Sequence, residues 1–553
     1  MKNKIIYILA GVVLTMASSC TDWLDPKPLN NMVLDDYWKK GSDVESVVLA
    51  CYRAMAEEGF MERIILGGEL RSDNVIVERE RLRSTENQDD INNLTIKPTN
   101  GLLSWKDFYL VINLCNTVLE YAPQVTQLDP DYTPGFLRAH EAEARTLRAL
   151  AYFYLVRLYR DVPYIDFSYS EDTQEFNIPQ MNGDTILNLQ VKELLIAERY
   201  ALKSWGYHDK QKGRVTKNMV RVLLADICLW LGKYDECIEA CNRILPDILK
   251  DDEVINPDLA TGAELVLIDN KTSPVTSFYY LFNYSYRNYT YGYGRENIFE
   301  LQFNDQVPNK KVKEFFGDGK NIGHLAASGV MADIFKENKK DLRGKTSFTT
   351  DDLTDGNKKG FNQIFKYIGG SYSENSQGSS YGFSSYDPFY CNWIFYRVPD
   401  VYLMKAEALV ERNHGSDLSD ALSLVNLTYM RSNPEGVPLL ESEYSGKEKM
   451  RDLVLLERQR EFLFEGKRWF DLVRLARKED KNYGDNEHGV DNHPKMLDLV
   501  VRKYDRNGGV VKSKMRNSDA LYLPISEKEL ISNRALKQNP YYDEFTTKET
   551  DKK

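Results

Sequence analysis

The sequence predicts a mostly α protein: a tetratricopeptide-like scaffold of helix pairs carrying long irregular ligand-binding loops and a few short strands. Three observations carry that prediction. Apolar residues recur at three- and four-residue steps over most of the chain. Three segments of about 30 residues share one plan of helix, short turn and second helix, close to the tetratricopeptide period of about 34 residues. Two long stretches, one crowded with tyrosine and the other rich in Gly, Ser, Asp and Tyr, abandon the periodicity altogether.

In chain order the first element is a leader. Lys2 and Lys4 precede an apolar stretch from Ile5 to Met16, followed by Ala17-Ser18-Ser19-Cys20. A basic start, an apolar core of about a dozen residues and small residues before a cysteine read as a lipoprotein signal peptide, since a spanning helix needs about 20 apolar residues. Cleavage before Cys20 frees its thiol and amine for lipidation, and each buried methylene then adds about 0.8 kcal/mol to a membrane anchor. Residues 1–19 are the expected signal peptide and Cys20 the expected lipidation site. Residues 20–553 are read as a single domain with loop insertions near 79–100, 271–304 and 346–399.

The helices follow. Glu141 to Tyr159 places Leu147, Leu150, Ala151, Tyr154, Leu155 and Leu158 on one stripe, and Asp161-Val162-Pro163 ends it. Leu102 to Tyr121, stopped by Pro123, and Thr185 to Leu202 are of similar quality. Lys217 to Leu249 is a helix, a Leu231-Gly232-Lys233-Tyr234 turn and a second helix with Cys237, Ile238, Cys241 and Ile244 inward. Tyr402 to Met430 repeats the plan across Asn413-His414-Gly415, and Lys449 to Ala476 repeats it across Glu465-Gly466. The repeats are divergent and widely spaced, which predicts stacked helix pairs rather than a regular array.

Composition narrows the function. The 72 Lys+Arg against 83 Asp+Glu give a net charge of −11, with no basic stripe or tail, which excludes nucleic acid as a partner. Of seven cysteines, Cys51, Cys115, Cys228, Cys237 and Cys241 fall on predicted helices among alanine and leucine, as buried free thiols do. No CxxC spacing occurs and no histidine lies near them, so a structural zinc site is not predicted.

Several motifs are weighed and set aside. Gly378-Ser379-Ser380-Tyr381-Gly382 fits G-x-S-x-G formally, but its low-complexity flanks offer no strand before the serine and no helix after it. Asp351 to Asn357 looks like a calcium loop without the spacing or closing glutamate of an EF-hand, and reads as a solvated turn. Arg458, Arg460, Glu461, Glu465, Arg468 and Asp471 form a dense charge run across a helix break, read as an ion network locking two helices.

The functional expectation falls on the tyrosine loops. The chain has 35 tyrosines, more than a core of this size needs. A sugar ring packs its C–H face on an aromatic ring, and its hydroxyls need fixed polar partners to replace lost water. Tyr284, Tyr286, Tyr289, Tyr291 and Tyr293, among Asn283, Arg287, Asn288 and Arg295, supply both before a strand-like run from Asn297 to Phe303. Tyr372 and Tyr381 lie in the second loop, within Gly369-Gly370-Ser371-Tyr372 and Gly378 to Gly382. Tyr284, Tyr286, Tyr289, Tyr291, Tyr293, Arg295, Tyr372 and Tyr381 are the predicted ligand-binding residues.

The chain resembles the SusD/RagB family, the surface lipoproteins of Bacteroidetes nutrient-uptake systems. The runs that carry the resemblance are Trp23-Leu24-Asp25-Pro26-Lys27-Pro28 after Ser19-Cys20; Trp105 with Tyr109, Ile112 and Asn113; Glu143 to Tyr154 with Asp161-Val162-Pro163-Tyr164; Arg397 to Ala408; Glu457 to Glu461 through Phe464 to Leu472; and Leu523-Pro524-Ile525. They span the chain in the family's order. Arg160 stands where the family often has glycine, and Pro399 where a small residue is common. The resemblance implies four helix pairs, a shallow ligand surface made by long loops, and a binding protein with neither catalysis nor a required cofactor. It implies an outer-membrane lipoprotein facing the cell exterior that captures oligosaccharides and delivers them to a SusC-like TonB-dependent transporter. Two rival readings stand beside it: capture of peptides for uptake, and a protein–protein adaptor built on the repeats. The matched motifs belong to the scaffold, so no ligand-binding residue transfers through them.

Overall fold

The structure is a computed structural model and describes residues 37–169, 175–206, 212–249, 265–267, 293–304, 306–318, 321–336, 338, 340–348, 362–367, 370–375, 378–383, 390–479 and 493–543. The leader, Cys20, the run Asp351 to Asn357, and Tyr284, Tyr286, Tyr289 and Tyr291 lie outside the described residues.

The scaffold is a stack of helices: α1 (Gly41–Met55), α2 (Glu58–Glu69), α3 (Lys106–Leu128), α4 (Pro134–Tyr159), α5 (Gly183–Tyr200), α6 (Lys217–Trp230), α7 (Tyr234–Asn242), α8 (Val398–Arg412), α9 (Asp417–Ser432), α10 (Lys447–Glu461) and α11 (Arg468–Glu479). Packing follows the chain: α1 on α3, then α3 to α9 each on the next, with α10 across α8 and α9. Local chemistry fixes the ends. Thr133, Asn182 and Thr216 each accept the backbone N–H three residues on, starting α4, α5 and α6; such a cap contributes about 1 kcal/mol. The predicted turns take left-handed backbone at Gly232 (φ 72°), at Asn413 and Gly415 (54° and 53°), and at Phe464 and Gly466 (63° and 71°).

Helix α4 is the axis of the stack. Every residue from Ala142 to Tyr159 except Arg145 is buried, so the predicted stripe is in fact a helix enclosed on all sides. Its charged side chains survive burial because they are paired: Glu143 with Arg214, and Arg148 with Asn116 and Glu193. It ends at Arg160, whose φ of 67° is a value that glycine adopts more readily than arginine. The Arg160 guanidinium is held instead by Asp161 and Asp519.

Three expectations need correction. Helix α3 does not stop at Pro123 but runs on to Leu128. Pro123 lies on the exposed side, where the helix can open slightly and solvent can take the freed carbonyl. Its first turn is also later than predicted, because Gly101–Leu103 is a 3₁₀ turn. Residues 79–100 are not wholly irregular: Arg79–Leu82 and Glu86–Asn92 are short helices. The second is started by a reciprocal cap between Thr85 and Gln88, which the residue types spell out.

Tyrosine abundance is in part a property of the core. Tyr152, Tyr159 and Tyr367 are buried with their hydroxyls donating to the carbonyls of Ile165, Leu103 and Phe464. Cys51, Cys115, Cys228, Cys237 and Cys241 are buried free thiols, as their sequence setting predicts, and Cys391 is buried as well; burial pushes the Cys228 thiol up to about 12. Among the described residues every sheet is two-stranded, and no helix is long and apolar enough to cross a membrane.

Candidate functional site

The irregular segments are rooted in α10, α11 and the break between them. Strand β1 (Asn297–Leu301) pairs antiparallel with a strand that leads directly into α8, here β4 (Trp393–Arg397), between which lie β2 (Gly370–Asn375) and β3 (Gly378–Phe383). Both β1 and β4 are buried on both faces, because their polar residues are paired rather than solvated. Glu300 accepts from the side-chain amides of Asn297 and Asn392 at 2.7 and 2.8 Å.

At the end of β4, Arg397 is fully buried and gathers Glu296, Glu461 and Glu465, donating also to the Glu461 carbonyl at 2.7 Å. Arg431 joins Glu296 and Glu461 from α9. Arg343, from the short helix Leu342–Ser347, pairs with Asp341, Glu457 and Glu461 at 2.7, 2.7 and 3.0 Å. Lys366 donates to Glu465 at 2.6 Å and to the Leu463 carbonyl at 2.9 Å. Each segment that leads into a loop therefore contributes an ionic anchor to one buried network.

Electrostatics in that network are dominated by mutual neutralisation. Burial alone pushes the Glu461 carboxyl up, but Arg431, Arg397 and Arg343 outweigh it and hold the group well below the carboxylate range. For Glu465 burial acts the same way, and Arg397, Lys366 and Lys467 bring it down to about 2. Burial lowers the Lys366 ammonium to about 8 despite Glu465.

The segment near 79–100 is anchored on the same helices. The strand Val75–Ile76 pairs with Ala326–Ala327, and the Asp73 carboxylate just before it accepts from Nε and Nη2 of Arg468 at 2.7 and 3.0 Å. Helix α2 packs closely here. A Cβ on Gly68 would stand 1.9 Å from the Gly466 carbonyl oxygen, so only glycine fits, and Glu69 accepts the Gly466 N–H at 2.9 Å.

The predicted site residues divide as follows. Tyr293 and Arg295 lie in the 3₁₀ turn Tyr293–Glu296, immediately before the anchored Glu296 and β1. Tyr372 and Tyr381 are direct cross-strand partners in the antiparallel hairpin of β2 and β3. The structure thus brings those two positions together, while the four earlier tyrosines fall outside the described residues. Ser380 is mid-strand in β3, which removes the strand–turn–helix setting of a nucleophile elbow. The charge run from Arg458 to Asp471 is the structural network it was read as: Arg458 pairs with Asp471 at 2.9 Å, both buried. Sequence reasoning missed its other half, Glu296, Arg343, Lys366, Arg397 and Arg431, whose partners other than Asp341 are remote in sequence.

Comparison with known proteins decides the family. The SusD family profile matches residues 268–542, and a second profile, described as "Starch-binding associating with outer membrane", matches residues 22–186. The chain belongs to the SusD family. SusD-like protein P2 of Formosa agariphila is 25% identical over 86% of this chain and 90% of its own length. Among solved structures, a SusD superfamily protein from Bacteroides thetaiotaomicron superposes with a TM-score of 0.65 at 23% identity, covering 92% of this chain and 99% of that one. A laminarin-binding SusD-like protein superposes with a TM-score of 0.62 at 19% identity, covering 91% of this chain and 100% of that one. The helix-pair scaffold described above is the SusD-like fold.

Proposed function

We propose that this SusD-family chain is a glycan-binding lipoprotein of the outer membrane, captured on the cell exterior through Cys20, that takes up oligosaccharides and delivers them to a TonB-dependent transporter. In this reading residues 1–19 are removed and residues 20–553 act as one domain. The loops hold the sugar and the helix stack carries the loops. The observation that carries the reading is the pairing of Tyr372 with Tyr381 on a hairpin next to the helix Leu342–Ser347, which the buried charges lock in place. Cross-strand partners have Cβ atoms about 5 Å apart, so the pairing makes these two tyrosine positions direct neighbours in the sheet. The family description as starch-binding and the laminarin-binding relative support sugar as the ligand class.

Modest affinity suits a protein that must release its cargo; a micromolar constant corresponds to about −8 kcal/mol. The test is a glycan array with the soluble form beginning after Cys20, followed by calorimetry on the best oligosaccharide and on matched peptides. Micromolar oligosaccharide binding is expected. Peptide binding without saccharide binding would overturn the assignment.

A further inference from the structure

Helix α5 packs one side on α4 and α6 and turns the other to solvent. In its C-terminal half the exposed residues are Lys192, Leu195, Ile196, Arg199 and Tyr200, and the exposed Lys203 follows just past its end. Steps of three and four residues put them on one face. Leu195, Ile196 and Tyr200 are 44%, 40% and 40% exposed. Every exposed side chain on this half of the helix is thus apolar or basic, the pattern of a helix that lies on a membrane surface.

The two acids of the same half are drawn to its flanks. Glu193 accepts from Arg145 and, at 3.0 Å, from Arg148 of α4. Glu198 accepts from Arg221 of α6 and from Arg243 just after α7, at 2.9 Å each. Further out, Asp247 and Glu239 pair with those same two arginines. On the α4 side, Glu141 is half-buried and interacts with Arg145 and Arg138. Asp131 is exposed in the turn before α4, and Asp43 accepts the backbone N–H groups of the exposed Lys39 and Lys40. Carboxylates therefore border the face, and cations stand among its apolar residues.

The occupant follows from where the chain enters the fold. Trp38 is buried and stacks on Tyr121 of α3 (centroids 5.7 Å), and the Gly41 N–H donates to Asp129, just past the end of α3, at 2.8 Å. That turn leads into α4, whose Arg138 guanidinium lies over the Tyr200 ring at 5.0 Å. The entry point and the C-terminal half of α5 thus stand at one end of the stack, where Leu128 and Phe136 are exposed as well. The 17 residues from Cys20 to Tyr37 reach at most about 60 Å. Helix α4, 26 residues long, carries the opposite end about 39 Å further off. A lipid leaflet at the tether suits the face: it takes up Leu195 and Ile196, seats the Tyr200 ring at its boundary, and meets the lysines and arginine with headgroup phosphates. A second copy would bring the same cations together, which repels.

We propose that Lys192, Leu195, Ile196, Arg199, Tyr200 and Lys203 form a membrane-contact face that lies on an anionic lipid leaflet and sets the tilt of the anchored body. It rests on the lipidation of Cys20 proposed above. The contact is too weak to hold the chain by itself, and the tether supplies the effective concentration at which it forms.

The test uses the full lipidated chain reconstituted in vesicles of equimolar phosphatidylcholine and phosphatidylglycerol, with bromine on the acyl chains as quencher. Cys51, Cys115, Cys228, Cys237, Cys241 and Cys391 are buried, so a fluorophore attached through Ile196→Cys reports on the face. One attached through Val437→Cys, exposed between α9 and α10, is the reference. Quenching several-fold stronger at 196 than at 437 is expected. Arg199→Glu with Lys203→Glu should remove the difference at unchanged melting temperature. Equal quenching at both labels, in a chain that still sediments with the vesicles, overturns the face and leaves the anchor standing. A chain that does not sediment with them refutes the lipidation of Cys20, and the face falls with it. A difference that survives the charge reversal overturns the proposal. So does one that phosphate abolishes and chloride of equal ionic strength does not, which would assign the cations to a free anion. A dimer in detergent that Ile196→Ser dissolves, or shielding of the label only when the transporter is added, would make the face a protein interface and overturn it equally.

Discussion

Arg397 shows what a single residue carries in this fold. Its guanidinium, wholly shielded from water, meets three carboxylates and a carbonyl, and those acids in turn hold Arg431 and Lys366. A network of this kind adds little net stability over a well-packed apolar one, yet removing one member strands its partners in low dielectric. Arg397→Met is therefore expected to destabilise by about 3–5 kcal/mol, read as a shift of the urea midpoint at unchanged slope. A loss below about 1 kcal/mol would mean that solvent reaches the network. The acid limb of stability follows from the same groups. The Glu465 carboxyl sits near 2 in the folded chain against 4.5 ordinarily, so its contribution is complete above pH 4.5 and is lost as pH falls toward 2. The Glu465→Gln variant should be less stable at pH 7 and show a flatter decline across that window, measured by denaturation at several pH values. A parallel decline would place the acid sensitivity elsewhere.

At the scale of elements, the helices were legible and the anchors were not. Leu231-Gly232, Asn413-His414-Gly415 and Glu465-Gly466 declare turns through residues that tolerate left-handed backbone, and the structure has such a turn at each. Pro123 misled because proline breaks a helix only where the lost bond cannot be replaced, and here the position faces water. Strand β1 shows the opposite difficulty: alternation suggests one solvated face, but Glu300 and Asn297 are buried, and the Glu300 carboxylate accepts from the amides of Asn297 and Asn392. Arg397 and Glu296 are 101 residues apart, and no local pattern announces a pair at that distance. The β2–β3 hairpin reads as a low-complexity loop because Gly and Ser have little strand preference. Tyr372 and Tyr381 nevertheless flank Ser376-Gln377 symmetrically, and that symmetry is the signal that could have paired them. Replacing both with alanine is expected to lower retention in polysaccharide affinity gels at least about fivefold, which corresponds to roughly 1 kcal/mol. Far-UV circular dichroism should not change. Equal retention would move the sugar contacts away from this hairpin.

At the scale of the whole molecule, one apolar cluster runs from Trp38 to Tyr542, so the helix stack and the roots of the loops share a core. A ligand held by the loops should thus stabilise the chain as a whole, by about 2.7 kcal/mol at a concentration of 100 Kd. Such a body needs only a tether to work at a membrane, and no described helix supplies a span. If Cys20 is the tether, binding and anchoring are separable. The soluble form beginning after Cys20 should match the full-length protein in oligosaccharide affinity, because in this reading residues 20–553 bind as one domain and the lipid serves only as a tether. In cells, Cys20→Ser is expected to abolish incorporation of a labelled fatty acid and to shift the protein out of the membrane fraction, since several acyl chains on one residue supply the anchor. Surface protease digestion reads the same change: the parent chain is shaved from intact cells and the serine variant is protected. A variant that stays labelled and surface-exposed would show that the anchor lies elsewhere in the chain, and would leave the sugar-binding half of the proposal untouched.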